Sequence, residues 1–139
     1  MKRVVIDTNV MIVLFGRNSR FRPLVQALAA EQYSLLVSTD IMLEYEEVFY
    51  RLHSQYSALA ALTFLQGASA VIEITPHYRW NLIHTDPDDN KFVDCAIAGN
   101  ADAIVTEDVH FAVLNTIPFP KVPVLSVEEF ASLLGVHLA

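Results

Sequence analysis

Four acidic residues, far apart along the chain, fall at comparable places in its apolar pattern. Asp7 closes the run Arg3-Val4-Val5-Ile6-Asp7, and Asp108 closes Ala103-Ile104-Val105-Thr106-Glu107-Asp108. Between them lie Glu44, inside an apolar helical pattern, and Asp89, in the segment Asp86-Pro87-Asp88-Asp89-Asn90. In an open α/β sheet, residues just past the carboxyl ends of strands converge on one crevice. Carboxylates gathered there repel each other and raise each other's pKa unless cations neutralise them. The economical chemistry is a hard divalent-metal site and, with it, metal-assisted work on phosphates.

The elements that must position these acids are legible from the apolar periods. Val4-Val5-Ile6 is a continuous β-branched run, which suits a strand buried on both faces. Thr8 to Phe15 reads as a short helix stopped near Gly16, and Phe21 to Ala30 as a helix with Pro23 in its first turn. Leu35-Leu36-Val37 is a second buried strand. Asp40 to Leu52 is an amphipathic helix with Ile41, Tyr45, Val48, Phe49 and Leu52 on one face. A helix over 57–66, a strand over 71–74, a small-residue helix over 90–100 and a strand over 103–106 follow. The spacing then predicts a short helix over 108–114, a loop over 115–121 and a fifth strand over 122–125. Ser126 and Glu129 form a capping box for the last helix. Such alternation, with right-handed crossovers, gives a parallel sheet of four to five strands with helices on both faces, a three-layer α/β/α fold.

Each acid also has a plain structural use. Asp7 can cap a helix, although Thr8 and Asn9 serve equally well, so capping does not require Asp at 7. Taking Ile41 as zero at ~100° per residue, Glu44 lies ~60° to one side of the buried face, close to Val48. A carboxylate on that border needs a partner or water. Asp86, Asp88 and Asp89 all suit a helix N-terminus, so at least one of them is structural. Asp89 shares the arc of Phe92, Val93 and Ala96, whereas Asp94 falls roughly opposite Ala96. In a regular helix the two do not share one ion, and Asp89 is favoured over Asp94. Asp108 can cap the helix after it, and Thr106 can cap it or contact a phosphate. The five histidines show no pairing at zinc-ligand spacing. Arg17, Arg20 and Arg22 form either a solvated turn or a contact for a phosphate backbone. The irregular segment 76–87 precedes the acidic run and is expected in the site wall.

The 139 residues fit one domain, and a content of 53% hydrophobic against 18% charged residues supplies a real core. Cys95 is the single cysteine, which excludes an intrachain disulfide and reads as a buried thiol. The first strand begins almost at once and no apolar run approaches ~20 residues, so neither a signal peptide nor a membrane span is expected, and a reducing cytoplasm is. The net charge of −7 opposes tight binding to nucleic acid through its backbone alone.

Together, Val5-Ile6-Asp7-Thr8-Asn9, the helix carrying Glu44, Asp89-Asn90-Lys91-Phe92 leading into Cys95-Ala96-Ile97-Ala98, and the strand ending Thr106-Glu107-Asp108 resemble the PIN-domain family of metal-dependent ribonucleases. They run in family order over nearly the whole chain. The Asp-Pro-Asp-Asp-Asn-Lys-Phe segment is similar to the branch described as toxin components of prokaryotic toxin–antitoxin pairs. The resemblance implies a single PIN-like domain over residues 1–139. It implies Mg²⁺ or Mn²⁺ held by Asp7, Glu44, Asp89 and Asp108, with Asp94 as a possible additional acid and Asn9 and Thr106 in support. It further implies hydrolysis of RNA by a metal-activated water, an antitoxin partner and a homodimer. A second ion ~3.5–4 Å from the first would stabilise the leaving oxygen. Single-stranded or looped RNA is the accessible substrate. A dimer could assemble a basic groove from Arg17, Arg20 and Arg22.

Two other readings compete. A PIN-like module with weak catalysis, acting through a partner, would suit the negative charge. A phosphoacceptor receiver domain also alternates strands and helices and binds Mg²⁺. It needs an Asp after the third strand, where this chain has Thr75 and Pro76, and a Lys after the fifth, which Lys121 precedes.

Overall fold

Val4-Val5-Ile6 lies at the centre of a parallel sheet in the computed structural model, which describes residues 1–138. Strands β1 (Arg3–Ile6), β2 (Ser34–Val37), β3 (Val71–Glu73), β4 (Ala103–Val105) and β5 (Val124–Leu125) are arranged in the order β3-β2-β1-β4-β5. Helices α1 (Thr8–Leu14), α2 (Arg22–Ala29), α3 (Thr39–Leu52), α4 (Gln55–Gly67), α5 (Asn90–Ala98) and α6 (Val127–Leu134) flank the sheet and complete three layers. The order grows outward from β1 to β3 and then restarts on the other side of β1 with β4. The switch therefore falls between β1 and β4, where the helices following two adjacent strands leave in opposite directions and open a crevice.

The register brings the acid-bearing ends level. Val4, Val5 and Ile6 pair with Ala103, Ile104 and Val105, and the Asp7 N–H donates to the Val105 carbonyl at 3.0 Å. Both strands are buried throughout their apolar residues, as continuous β-branched runs require of a sheet covered on two faces. Asp7 and Thr106 thus emerge side by side.

Helix α3 is started by the Ser38 hydroxyl, which accepts from the Ile41 N–H at 3.3 Å. Its buried residues Ile41, Tyr45, Val48 and Phe49 recur at helical spacing, and they carry Glu44 to the edge of the same crevice. The fully buried Tyr45 hydroxyl donates to the carbonyl of Ile6, immediately before Asp7. Tyr45→Phe leaves that carbonyl without this donor. We expect a loss of about 1–3 kcal/mol, read as a lowered Tm in thermal unfolding, because a buried acceptor stripped of its partner keeps its desolvation cost. An unchanged Tm would remove this hydrogen bond from the account of how β1 is held.

Helix α5 lies close on the sheet. A Cβ at Gly99 would meet Leu36 Cδ1 at 2.7 Å, and the Arg3 guanidinium donates to the Gly99 carbonyl at 2.8 and 3.1 Å. Asn100, at φ 53°, closes the helix in a left-handed turn, with the Ala101 N–H donating to the Ala96 carbonyl at 2.8 Å, so α5 ends at Ala98, two residues short of the expected end. Helix α4 begins at Gln55 because the Ser54 hydroxyl caps it, accepting from the Ser57 N–H at 3.1 Å. The segment expected as a short helix over 108–114 is a 3₁₀ stretch, Val109–Thr116, with Asp108 as its cap. A hydrogen bond from the His110 N–H to Asp108 Oδ1 at 2.9 Å winds this turn tightly from its start. No helix among the described residues is long and apolar enough to cross a membrane.

Candidate metal centre

A cleft of about 570 Å³ opens at the switch point, and Asp7, Glu44, Asp89 and Asp108 all line it. Asp40, Glu47, Asp86 and Asp88 extend its acidic wall, against two cations, Arg51 and Lys91.

Asp7 occupies the N-cap position of α1, yet its side chain does not cap the helix. Instead Asp7 Oδ2 accepts from the Thr106 hydroxyl at 2.9 Å across the β1–β4 junction. The Thr106 oxygen in turn accepts from the Asp108 N–H at 3.0 Å. One threonine therefore sets the orientation of one acid and the backbone of another. Burial raises the pKa of Asp7, the Thr106 hydrogen bond opposes this, and the charges of Asp108 and Glu44 raise it further.

Asp89 ends a 3₁₀ turn, Pro87–Asp89, that leads into α5. Asp86 does the structural work there, its side chain accepting from the Asp88 N–H at 3.3 Å. That leaves Asp89 uncommitted. Its residue is buried, and its Oδ2 has no hydrogen-bond partner among the described residues. Burial first, then the charges of Asp86, Asp108 and Asp7, push the Asp89 carboxyl up to about 7, with His110 pulling the other way. Glu44 is differently placed. Its two oxygens accept from the Thr8 hydroxyl and from Lys91 Nζ, the latter at 2.6 Å. Asn9 lines the same cleft.

His110 Nδ1 stands 3.4 Å from Asp108 Oδ1 and 3.9 Å from Asp89 Oδ2. Oxygens of Asp86 and Asp89 and a ring nitrogen of His110 lie within 4.8 Å of one another. The donor set fits a divalent cation. A buried carboxylate oxygen without a donor, faced by further carboxylates, is costly unless a proton or a cation offsets it. Carboxylate oxygens suit Mg²⁺ and Mn²⁺, and an imidazole nearby favours the transition metal.

Asp94 is held elsewhere. It is buried in α5 and accepts from the Trp80 N–H at 3.0 Å, lining a separate hollow with residues 74–79. The three arginines after α1 lie away from the residues that line the cleft. Arg20 Nη1 pairs with Glu128 at 2.8 Å, and Arg22 Nη2 donates to the Gly16 carbonyl at 2.9 Å. Arg17 lines a hollow beside the α3–α4 turn with His53, Ser54 and Ser57.

Sequence reasoning gave no site role to Arg51, Lys91 or His110, and it expected at least one of Asp86, Asp88 and Asp89 to be structural, as Asp86 is. Arg51 was reachable, since it lies two helical turns after Glu44 and so shares its face. Lys91 and His110 had no such signal, because their partners are remote in sequence or created by a turn.

The sheet order, its switch point and the acids converging on it define an α/β/α protein with an acidic cleft at its strand ends. Residues 3–110 match the family model described as PIN domain, and the chain belongs to that family. Its fold is similar to VapBC2 from Rickettsia felis, solved bound to a DNA fragment from their promoter, at 14% identity and a TM-score of 0.63, covering 89% of this chain and 98% of that one. It is also similar to VapC20 of Mycobacterium tuberculosis, a sarcin-ricin loop cleaving toxin, at 13% identity and a TM-score of 0.56, covering 78% and 92%. A third similar structure is the PIN domain of T. brucei RRP44, at 13% identity and a TM-score of 0.53, covering 94% and 80%. No curated protein matches the sequence.

Proposed function

We propose that the protein is a metal-dependent endoribonuclease and the toxin component of a toxin–antitoxin pair. The observation that carries this reading is the buried, unpartnered oxygen of Asp89 facing Asp7 and Asp108 at the switch point. Membership of the PIN-domain family and the likeness of its fold to VapBC2, to the sarcin-ricin loop cleaving toxin VapC20 and to the RRP44 PIN domain support it.

In this reading Asp7, Asp89 and Asp108 hold Mg²⁺ or Mn²⁺, and Glu44 contributes directly or through water. The bound ion supplies Lewis-acid charge and makes a water more acidic, which phosphodiester hydrolysis needs. Thr106 keeps Asp7 aimed by donating to its Oδ2. Lys91 and Arg51 add positive charge to an acidic wall that would otherwise repel the RNA backbone. Lys91 also neutralises Glu44, which lowers the repulsion within the cleft. RNA substrate, antitoxin partner, homodimer and cytoplasmic location belong to the same proposal.

The direct test is cleavage of a mixed single-stranded RNA pool with Mg²⁺, Mn²⁺ or a chelator. Cutting that needs the ion supports the reading, and cutting in chelator overturns it. Thr106→Val provides a finer test. Valine keeps the shape and removes the hydroxyl, so we expect a loss of roughly 10- to 100-fold in metal affinity or cleavage with the fold retained. Full activity in this variant would mean that Asp7 does not need the Thr106 hydroxyl.

A further inference from the structure

We propose that residues His77–Trp80 form a stacking ledge for the bases of single-stranded RNA, leading into the acidic cleft; this rests on the nuclease reading for the identity of the ligand. The strip lies in the irregular stretch between β3 and the 3₁₀ turn at Pro87. Tyr78 is 64% exposed, and its ring stands 4.7 Å from that of Trp80 at an interplanar angle of 66°. His77 and Arg79 flank the pair, both exposed. A solvent-facing π surface beside the Arg79 guanidinium is what sequence-tolerant binding of single strands uses.

Three further observations favour RNA here. The first is adjacency. Asp40 and Lys91 line both the hollow beside the ledge and the acidic cleft, so the two share a wall and a strand seated at Tyr78 lies next to the acids. The second is fixation. The buried carboxylate of Asp94 accepts the Trp80 N–H at 3.0 Å and also draws on the charge of Arg79, which holds an otherwise irregular backbone in place. Asp94 thereby acts as a positioning residue for the ledge. The third is charge. A chain of net charge −7 gains little from phosphate contacts, so affinity for RNA must come largely from the bases.

Trp80 is the single tryptophan, so its emission reports on the ledge directly. The experiment titrates the full chain, carrying Asp7→Asn to keep the strand intact, with a uridine hexanucleotide and with an abasic hexanucleotide of equal charge, in Mg²⁺. We expect the uridine strand to change Trp80 emission and to bind at least about tenfold more tightly than the abasic strand. Tyr78→Ala should abolish most of that advantage and leave the abasic affinity unchanged. Tyr78 is exposed, so this variant keeps its fold, which circular dichroism checks. Equal affinity for the two strands, binding of neither, or an advantage that survives Tyr78→Ala would overturn the ledge. In that event the aromatic pair is better assigned to a protein partner. The nuclease reading fails separately, on the cutting of RNA by proteins with and without Asp7, in which Tyr78 has no part.

Discussion

Asp7→Asn is expected to lower metal-dependent RNA cleavage by about a thousandfold, equivalent to ~4 kcal/mol of transition-state stabilisation. Asp7 stands at the junction of β1 and β4, with Asp108 and Glu44 close enough to raise its pKa. An amide there carries no charge and binds a hard cation far more weakly than a carboxylate. The fold should survive, because the asparagine oxygen can still accept the Thr106 hydroxyl that Asp7 Oδ2 accepts at 2.9 Å. Initial rates at saturating Mg²⁺ or Mn²⁺, with unfolding curves for both proteins, check this. Equal cutting by wild type and variant would show that the activity lies outside this cleft.

The second large effect is on stability and depends on pH. The Asp89 carboxyl has an ordinary value of 3.8 and is pushed up to about 7 in the folded protein, with burial the first cause. A folded-state pKa above the unfolded one means that the folded chain binds the proton more tightly. The stability it contributes is therefore complete below 3.8 and lost as pH rises through about 7. Asp89→Asn mimics the protonated form at every pH. Without divalent metal, the variant and the wild type should melt together near pH 4, and by pH 8 the variant should be the more stable by at least about 1 kcal/mol, several degrees in Tm. Adding Mn²⁺ at pH 8 should raise the wild-type Tm and narrow the gap, because an ion bound only to the folded state stabilises it by mass action. Differential scanning calorimetry of both proteins, with chelator and with Mn²⁺, measures all of this. Parallel pH profiles would show that the unpartnered Asp89 oxygen carries no strain, and would remove the observation on which the metal centre stands.

Val4-Val5-Ile6, Leu35-Leu36-Val37 and Ala103-Ile104-Val105 were legible as buried strands because a sheet covered on both faces asks for unbroken apolar residues and nothing else. The helix through Ile41, Tyr45, Val48 and Phe49 was equally legible from its period, and the capping box at Ser126 and Glu129 from residue type alone. With the alternation of strands and helices, these patterns carried the fold class, and the motifs around Asp7, Asp89 and Asp108 carried the family. Helical phase separates Asp89 from Asp94 only for a helix regular from residue 89, and Asp89 instead ends the 3₁₀ turn Pro87–Asp89 before α5.

What lay beyond the sequence depends on contacts between distant residues. The level ends of β1 and β4 follow from a register that no single segment encodes, and that register lets Thr106 reach Asp7. The choice of Asp86 as the cap, which frees Asp89, was decided by the 3₁₀ turn before α5. Lys91 meets Glu44 only because α5 and α3 pack together, and His110 faces Asp89 only because Asp108 winds its turn tightly. Sequence determined which residues could carry charge and which must be buried, because periodicity and side-chain chemistry are local. Tertiary structure decided which charges are neutralised and which oxygen is left without a partner, because electrostatic interaction depends on distance in space and not along the chain.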